Sequence, residues 1–151
     1  MKWLMAIISG LIGSLTLTII HETARRLLPE APRADILGVR ALEKGMLAAG
    51  KQPPTGDALH YTALGADVVV NAAYYSLVGL GGRRGAPLAG LLLGLAGGVG
   101  AVALPGPLGL GSEPTTRSPE TRAMTVAWYT LAGLVAAAMY TLLGRLSVTQ
   151  N

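Results

Sequence analysis

Four polar residues, Asp67, Asn71, Tyr74 and Tyr75, interrupt an apolar stretch of the chain. Asp67 and Asn71 are four residues apart and share a helix face, and the two tyrosines flank its continuation. An ionisable side chain is expensive to place in lipid, so it normally faces protein, water or a partner. The stripe predicts a surface that lines a pore or pocket, where Asp67 holds a cation or proton. The alternative is a shallow Asp67 near the headgroups, at a helix N-terminus, with Asn71 bonded to a neighbouring helix.

A second polar group is expected at the end of the bundle where Asp67 lies. This interfacial cluster combines imidazole, carboxylate and guanidinium groups, namely His21, Glu22, Arg25, His60 and Arg122. Histidines beside a carboxylate bind metals or relay protons. Solvated ion pairs at a membrane interface are the commoner use of such residues, so we expect no metal ion, no cofactor and no catalytic residue here.

Glycines are the clearest packing signal. Gly90, Gly94 and Gly98 follow one another at intervals of four, and Gly133 lies in the last apolar run. Glycines at this spacing leave a groove into which another helix backbone can pack closely. The partner is predicted to be a helix of the same chain or, as the alternative, a helix of a second protomer.

The elements that must position these residues are membrane helices. The chain has 151 residues, of which 51% are apolar and 13% charged, and its mean hydropathy is +0.49. A soluble domain carries about 25% charged residues. Apolar runs of about 20 residues suit a helix that spans the bilayer. We therefore predict an all-α bundle of four transmembrane helices, forming a single membrane domain over 1–151, with spans at about 3–20, 63–80, 86–104 and 123–143.

The connections between the spans are also predicted. Apolar residues recur at helical spacing over about 34–49, which indicates an amphipathic interfacial helix between the first and second spans. The glycine-rich residues 81–85 predict a tight loop between the second and third spans. Ser118, Pro119 and Glu120 are typical of a helix start. The first span is expected to be an uncleaved helix, a signal peptide being the alternative, and the distribution of basic residues leaves the orientation open.

Short segments resemble those of small bacterial inner-membrane proteins with four predicted spans. They are Gly10–Gly13 (GLIG), Leu28–Arg33 (LPEAPR) and Pro107–Gly111 (PLGLG). The resemblance implies the bacterial cytoplasmic membrane as the location. It implies no activity and no catalytic residues.

Three functions remain open from the sequence. The favoured one is a self-associating helical membrane protein with a pore or transport path lined by the second helix. An accessory or scaffolding subunit of a larger membrane complex is the alternative, and a membrane-embedded enzyme is third. The expected partners are the lipid bilayer and a second copy or a larger complex. Nucleic acid is not expected, because basic residues at membrane edges explain the net charge of +4.

Overall fold

The protein is all-helical in a computed structural model that describes residues 2–147, and no strand occurs among them. The α-helices are α1 (Lys2–Leu27), α2 (Ala34–Ala48), α3 (Gly56–Ser76), α4 (Gly82–Ala103), the short α5 (Glu113–Thr116) and α6 (Pro119–Leu146). A 3₁₀ turn over Leu77–Gly81 joins α3 to α4.

Three helical segments are long and apolar enough to cross a membrane. They are Lys2–Leu27, Gly56–Ala103 and Pro119–Leu146, the second being α3, the 3₁₀ turn and α4 without a break. Large apolar side chains on these segments face outward, and Trp3, Val69 and Leu88 are each more than 60% exposed. Such outer surfaces suit lipid better than water. The chain therefore has the character of an integral membrane protein.

The segment Gly56–Ala103 does not run straight. The Tyr74 hydroxyl donates a hydrogen bond of 2.8 Å to the carbonyl of Leu93, 19 residues later. In a straight α-helix these residues would be about 28 Å apart. The chain therefore reverses at the 3₁₀ turn, and α4 runs back antiparallel to α3.

The reversal does not lie where the sequence predicted it. Residues 82–85 of the predicted loop 81–85 form the first turn of α4, and the change of direction occurs over the 3₁₀ turn Leu77–Gly81 and its junction with Gly82. Gly82 has a φ of 61°, a left-handed conformation that glycine adopts without steric cost. One glycine thus redirects the chain, and the following residues are free to begin the helix.

Most helices extend beyond the apolar runs that predicted them. α1 continues to Leu27, two residues before Pro29, and α3 begins at Gly56, soon after Pro53 and Pro54. Proline disfavours a helical conformation in the residue before it, which explains why α1 ends before Leu28 and why the residues just before Pro53 and Pro54 stay outside α3. α6 begins where predicted, with the Ser118 hydroxyl accepting a hydrogen bond from the Thr121 amide at 3.1 Å.

α1 lies at the centre of the packing. It contacts α3, where Ser14 Oγ donates to the Val68 carbonyl at 2.8 Å, and α6, where Gly13 faces Ala132 and Ala136. α6 in turn packs along α4. α3 and α4 touch each other little beyond the reversal, and Tyr74 fills the space between them. The polar ends of α1 and α3 are thereby held next to each other.

Candidate functional site

A small cavity lies where α1, α2 and α3 meet. Its polar lining consists of Thr18, His21, Glu22, Asp35, His60 and Asp67. The space open to the centre of a water molecule is about 20 Å³. A cavity needs about 10–15 Å³ by this measure to hold one water molecule. The site thus accommodates a water molecule or a ligand of similar size.

Two polar atoms of α1 in this lining have no hydrogen-bond partner within residues 2–147. They are Thr18 Oγ1 and His21 Nε2. His21 is only 7% exposed, and its ring lies against Trp128, with the ring centres 5.2 Å apart. Leaving a buried polar atom without a partner costs about 1–3 kcal/mol. Two such atoms on residues that line one cavity make it the candidate site for a polar ligand.

Two of the three cavity carboxylates are neutralised by arginines. Glu22 accepts hydrogen bonds of 2.9 and 2.6 Å from Arg25. Asp35 accepts bonds of 2.9 and 2.7 Å from Arg33. Burial acts to raise the pKa of Asp35, but the hydrogen bonds and charge of Arg33 outweigh it and hold that pKa below its usual value. The same pair raises the pKa of Arg33 through its hydrogen bond to Asp35.

Asp67 is the cavity carboxylate that forms no ion pair within the described part of the chain. Its Oδ1 accepts a hydrogen bond of 3.0 Å from Asn71 Nδ2. Asn71 is buried, and the same amide also reaches the Asp67 carbonyl at 3.0 Å. The cavity therefore contains one carboxyl group that no arginine or lysine pairs with in the described part of the chain.

The two tyrosines of the predicted stripe continue the polar side of α3 from Asp67 and Asn71 into the helix bundle. Tyr75 is fully buried, and its hydroxyl donates to the Tyr129 carbonyl of α6 at 2.9 Å. Tyr74 donates to the Leu93 carbonyl of α4. The side of α3 from Asp67 to Tyr75 thus faces the interior of the chain itself.

The structure brings together two groups that the sequence treated separately. Asp67, from the predicted stripe, lines the same cavity as His21, Glu22 and His60 of the predicted interfacial cluster. Arg25 is next to the cavity through its pair with Glu22. Arg122 does not line it: this side chain is exposed on α6 and its Nε donates to the Thr116 carbonyl at 3.3 Å.

The predicted packing glycines form a separate seam between α4 and α6, which we call the glycine seam. Gly90 faces Gly133, Gly94 faces Thr130 and Gly98 faces Val126. These glycines are buried against the same chain. The groove is thus occupied by α6.

Sequence reasoning missed Thr18 and Asp35 as site residues. Thr18 lies three residues before His21 on α1, so it shares the face of that histidine, and this spacing was an available signal. Asp35 reaches the cavity because α2 packs on α3, where Gly38 approaches Ala63. No pattern within α2 indicates that contact, since it depends on the tertiary arrangement.

Helix α2 covers the cavity, and two of its basic residues bond it to the segment that follows α4. Arg40 Nη1 donates to the Leu110 carbonyl at 2.7 Å, and Lys44 Nζ donates to the Leu108 carbonyl at 2.5 Å. These bonds tie α2 to that segment, and this fixes the helix that carries Asp35.

No family model matches the chain, and neither the curated proteins nor the solved structures contain a match to it.

Proposed function

We propose that this protein crosses the membrane four times, through α1, α3, α4 and α6, with α2 lying at the interface. In this arrangement it self-associates and provides a path for a small monovalent cation or a proton along the polar side of α3. The antiparallel return of α4 along α3 supports the fourth crossing, because each helix alone exceeds the roughly 20 residues that a crossing needs.

One observation carries the transport proposal, namely the unbalanced carboxylate of Asp67 in a cavity otherwise neutralised by ion pairs. A single negative charge in a site of low dielectric attracts a single positive charge. From Asp67 the polar side of α3 continues to Asn71 and Tyr75 inside the bundle. Entry from the α2 end therefore leads along polar atoms towards the middle of the helices.

Self-association is part of the proposal because four short helices rarely enclose a complete path. The glycine seam is occupied by α4 and α6, so we place the contact between protomers on the exposed apolar surface of α3, at Val69 and Val70. Cross-linking and mass measurement in lipid are expected to show a dimer or larger assembly. A monomer in lipid contradicts this part, and a stoichiometric larger partner favours the accessory-subunit function instead.

The crossing number can be measured with single cysteines, because the chain contains none of its own. Four crossings place Lys51→Cys and Glu113→Cys on one side of the membrane and Arg84→Cys on the other. We expect a membrane-impermeant maleimide to label Arg84→Cys from the side opposite to the other two. If Arg84→Cys resists labelling even in permeabilised membranes, residue 84 lies within the bilayer and the four-crossing arrangement is wrong.

Transport is tested with purified protein in liposomes under an imposed membrane potential, with separate uptake assays for protons, Na⁺ and K⁺. Asp67→Asn keeps the size of the side chain and removes its charge, so we expect flux to fall by at least about tenfold. Asp57→Asn is the matched control, since Asp57 is an exposed carboxylate at the start of the same helix. Absence of flux in the unmodified protein, or equal flux in Asp67→Asn, overturns the proposal.

A further inference from the structure

We infer that the cavity is a proton-relay site, in which one water molecule held by Thr18, His21 and Asp67 passes protons between Asp67 and His21. This inference rests on the proposed transport function. It narrows the transported species from a monovalent cation to a proton.

The size of the cavity supports a single water molecule as the occupant. The space of about 20 Å³ exceeds the roughly 10–15 Å³ that one water molecule requires. A buried water molecule makes about three hydrogen bonds. The cavity offers three polar groups that can make them, since Thr18 Oγ1 and His21 Nε2 have no partner in the described chain and Asp67 also lines the space.

The chemistry of these groups disfavours a metal cation. Hard cations take several oxygen ligands, whereas Glu22 and Asp35 are already paired with arginines and one oxygen of Asp67 is bonded to Asn71. A hydroxyl, an imidazole and a carboxylate all exchange hydrogen bonds with water as donor or acceptor. A carboxylate and an imidazole can exchange a proton through one water molecule held between them.

Titratable side chains lie around His21 on each of the helices packed against it. α1 contributes Glu22, which is paired with Arg25. α2 contributes Asp35, which is paired with Arg33. α3 contributes His60 and Asp67, and α6 contributes the ring of Tyr129 at 5.9 Å. Because the two ion pairs are neutral overall, Asp67 is the carboxylate whose protonation changes the net charge facing His21.

The transfer needs no other reactant. The O–H bond of protonated Asp67 breaks as its hydrogen joins the water oxygen, and one water O–H bond breaks as that hydrogen joins His21 Nε2. The water molecule is regenerated, Asp67 becomes a carboxylate and His21 an imidazolium. For net movement, the His21 imidazolium releases its proton to water outside the cavity and Asp67 takes up a new proton from the polar side of α3, so that one proton crosses the cavity in each cycle.

Ion selectivity and a threonine variant test the inference together. We expect liposomes containing the protein to take up protons and to exclude Na⁺, K⁺ and ammonium. Thr18→Val replaces the hydroxyl by a methyl group, and we expect proton flux to fall by about tenfold or more. Thr16→Val is the matched control on the same helix, because the Thr16 hydroxyl bonds to the Ile12 carbonyl of α1 itself at 2.8 Å. Its flux is expected to remain within about twofold of the unmodified protein.

A second measurement is independent of flux. His60→Asn leaves His21 as the single histidine, since the chain has two. In lipid bilayers, solid-state NMR of the ¹⁵N-labelled imidazole is expected to show a water contact at Nε2 that weakens in Thr18→Val. A water-free Nε2, or uptake of Na⁺, K⁺ or ammonium in place of protons, overturns the relay and leaves the transport proposal standing. Absence of flux for every ion overturns the transport proposal and the relay with it.

Discussion

The glycine seam between α4 and α6 and the cavity between α1, α2 and α3 are packed in opposite ways. In the seam, backbone meets backbone: Gly94 lies so close to Thr130 that a Cβ added to it would be 2.5 Å from the Thr130 Cα. At the cavity, polar side chains line a space that protein atoms leave open. Close packing of small residues is the main source of attraction between helices in lipid. The seam therefore supplies stability, whereas the cavity leaves polar side chains incompletely packed, as the proposed transport function requires.

The largest expected effect of a single substitution lies in the seam. Gly94→Ala introduces a methyl group that overlaps the backbone of α6, which cannot move away without disturbing the whole helix. We expect the free energy of unfolding to fall by about 2–3 kcal/mol. Denaturation in mixed micelles, followed by circular dichroism, measures this change.

Gly100→Ala provides the control on the same helix. A Cβ added there would be 3.5 Å from Leu104 Cδ1, an ordinary contact with a flexible side chain. Alanine favours the helix over glycine by about 1 kcal/mol, so this variant is expected to be as stable as the unmodified protein or more so. If the two variants are equally stable, close backbone packing at Gly94 does not stabilise the bundle, and the proposed difference between the seam and the cavity is wrong.

The same contrast explains what could be predicted from the sequence. The glycine groove follows from the spacing of Gly90, Gly94 and Gly98 within one helix, while its partner α6 was one of two alternatives; the N-cap at Ser118 likewise depends only on neighbouring residues. The cavity depends on α2 packing against α3, so no local pattern predicts the role of Asp35, whereas Thr18 could have been found from its spacing to His21 on α1. The reversal at Leu77–Gly81 was misplaced because a run of glycines is compatible both with a loop and with the start of a helix whose neighbours pack closely.

A smaller effect is expected for the hydrogen bond that connects the two regions. Tyr75 on α3 donates to the Tyr129 carbonyl on α6 at 2.9 Å. Tyr75→Phe retains the buried ring and removes the donor, and hydrogen bonds between membrane helices contribute about 1 kcal/mol. We expect a loss of this size in the same unfolding assay.

Tyr61→Phe is the matched control for Tyr75→Phe. Tyr61 is also on α3, but it is 69% exposed and its ring contact with His60 does not involve the hydroxyl. Its stability is expected to stay within about 0.5 kcal/mol of the unmodified protein. A loss as large as that of Tyr75→Phe would show that the hydroxyl of Tyr75 does not hold α3 to α6.

The smallest expected effect concerns the Arg33–Asp35 ion pair, which helps to hold α2 over the cavity. Its contribution to the free energy of unfolding depends on pH. Because Arg33 holds the pKa of Asp35 below its usual value, the pair stabilises the fold fully above the unfolded pKa of about 3.9. This stabilisation is lost as the pH falls through the lower pKa of the folded state. Arg33 is 37% exposed, so water screens the pair and its contribution is about 0.5–1 kcal/mol.

Thermal unfolding in detergent between pH 7 and pH 2 measures that contribution. Asp35→Asn removes the ionisable partner, so its unfolding temperature at pH 7 is expected to be lower than that of the unmodified protein. The difference should disappear at the acid end, where Asp35 is protonated. Asp57→Asn, which changes an exposed carboxylate, is expected to leave the unfolding temperature at pH 7 almost unchanged. A constant difference between Asp35→Asn and the unmodified protein at every pH would mean that α2 is held over the cavity by its apolar contacts and the Arg40 and Lys44 bonds, without help from the charge of Asp35.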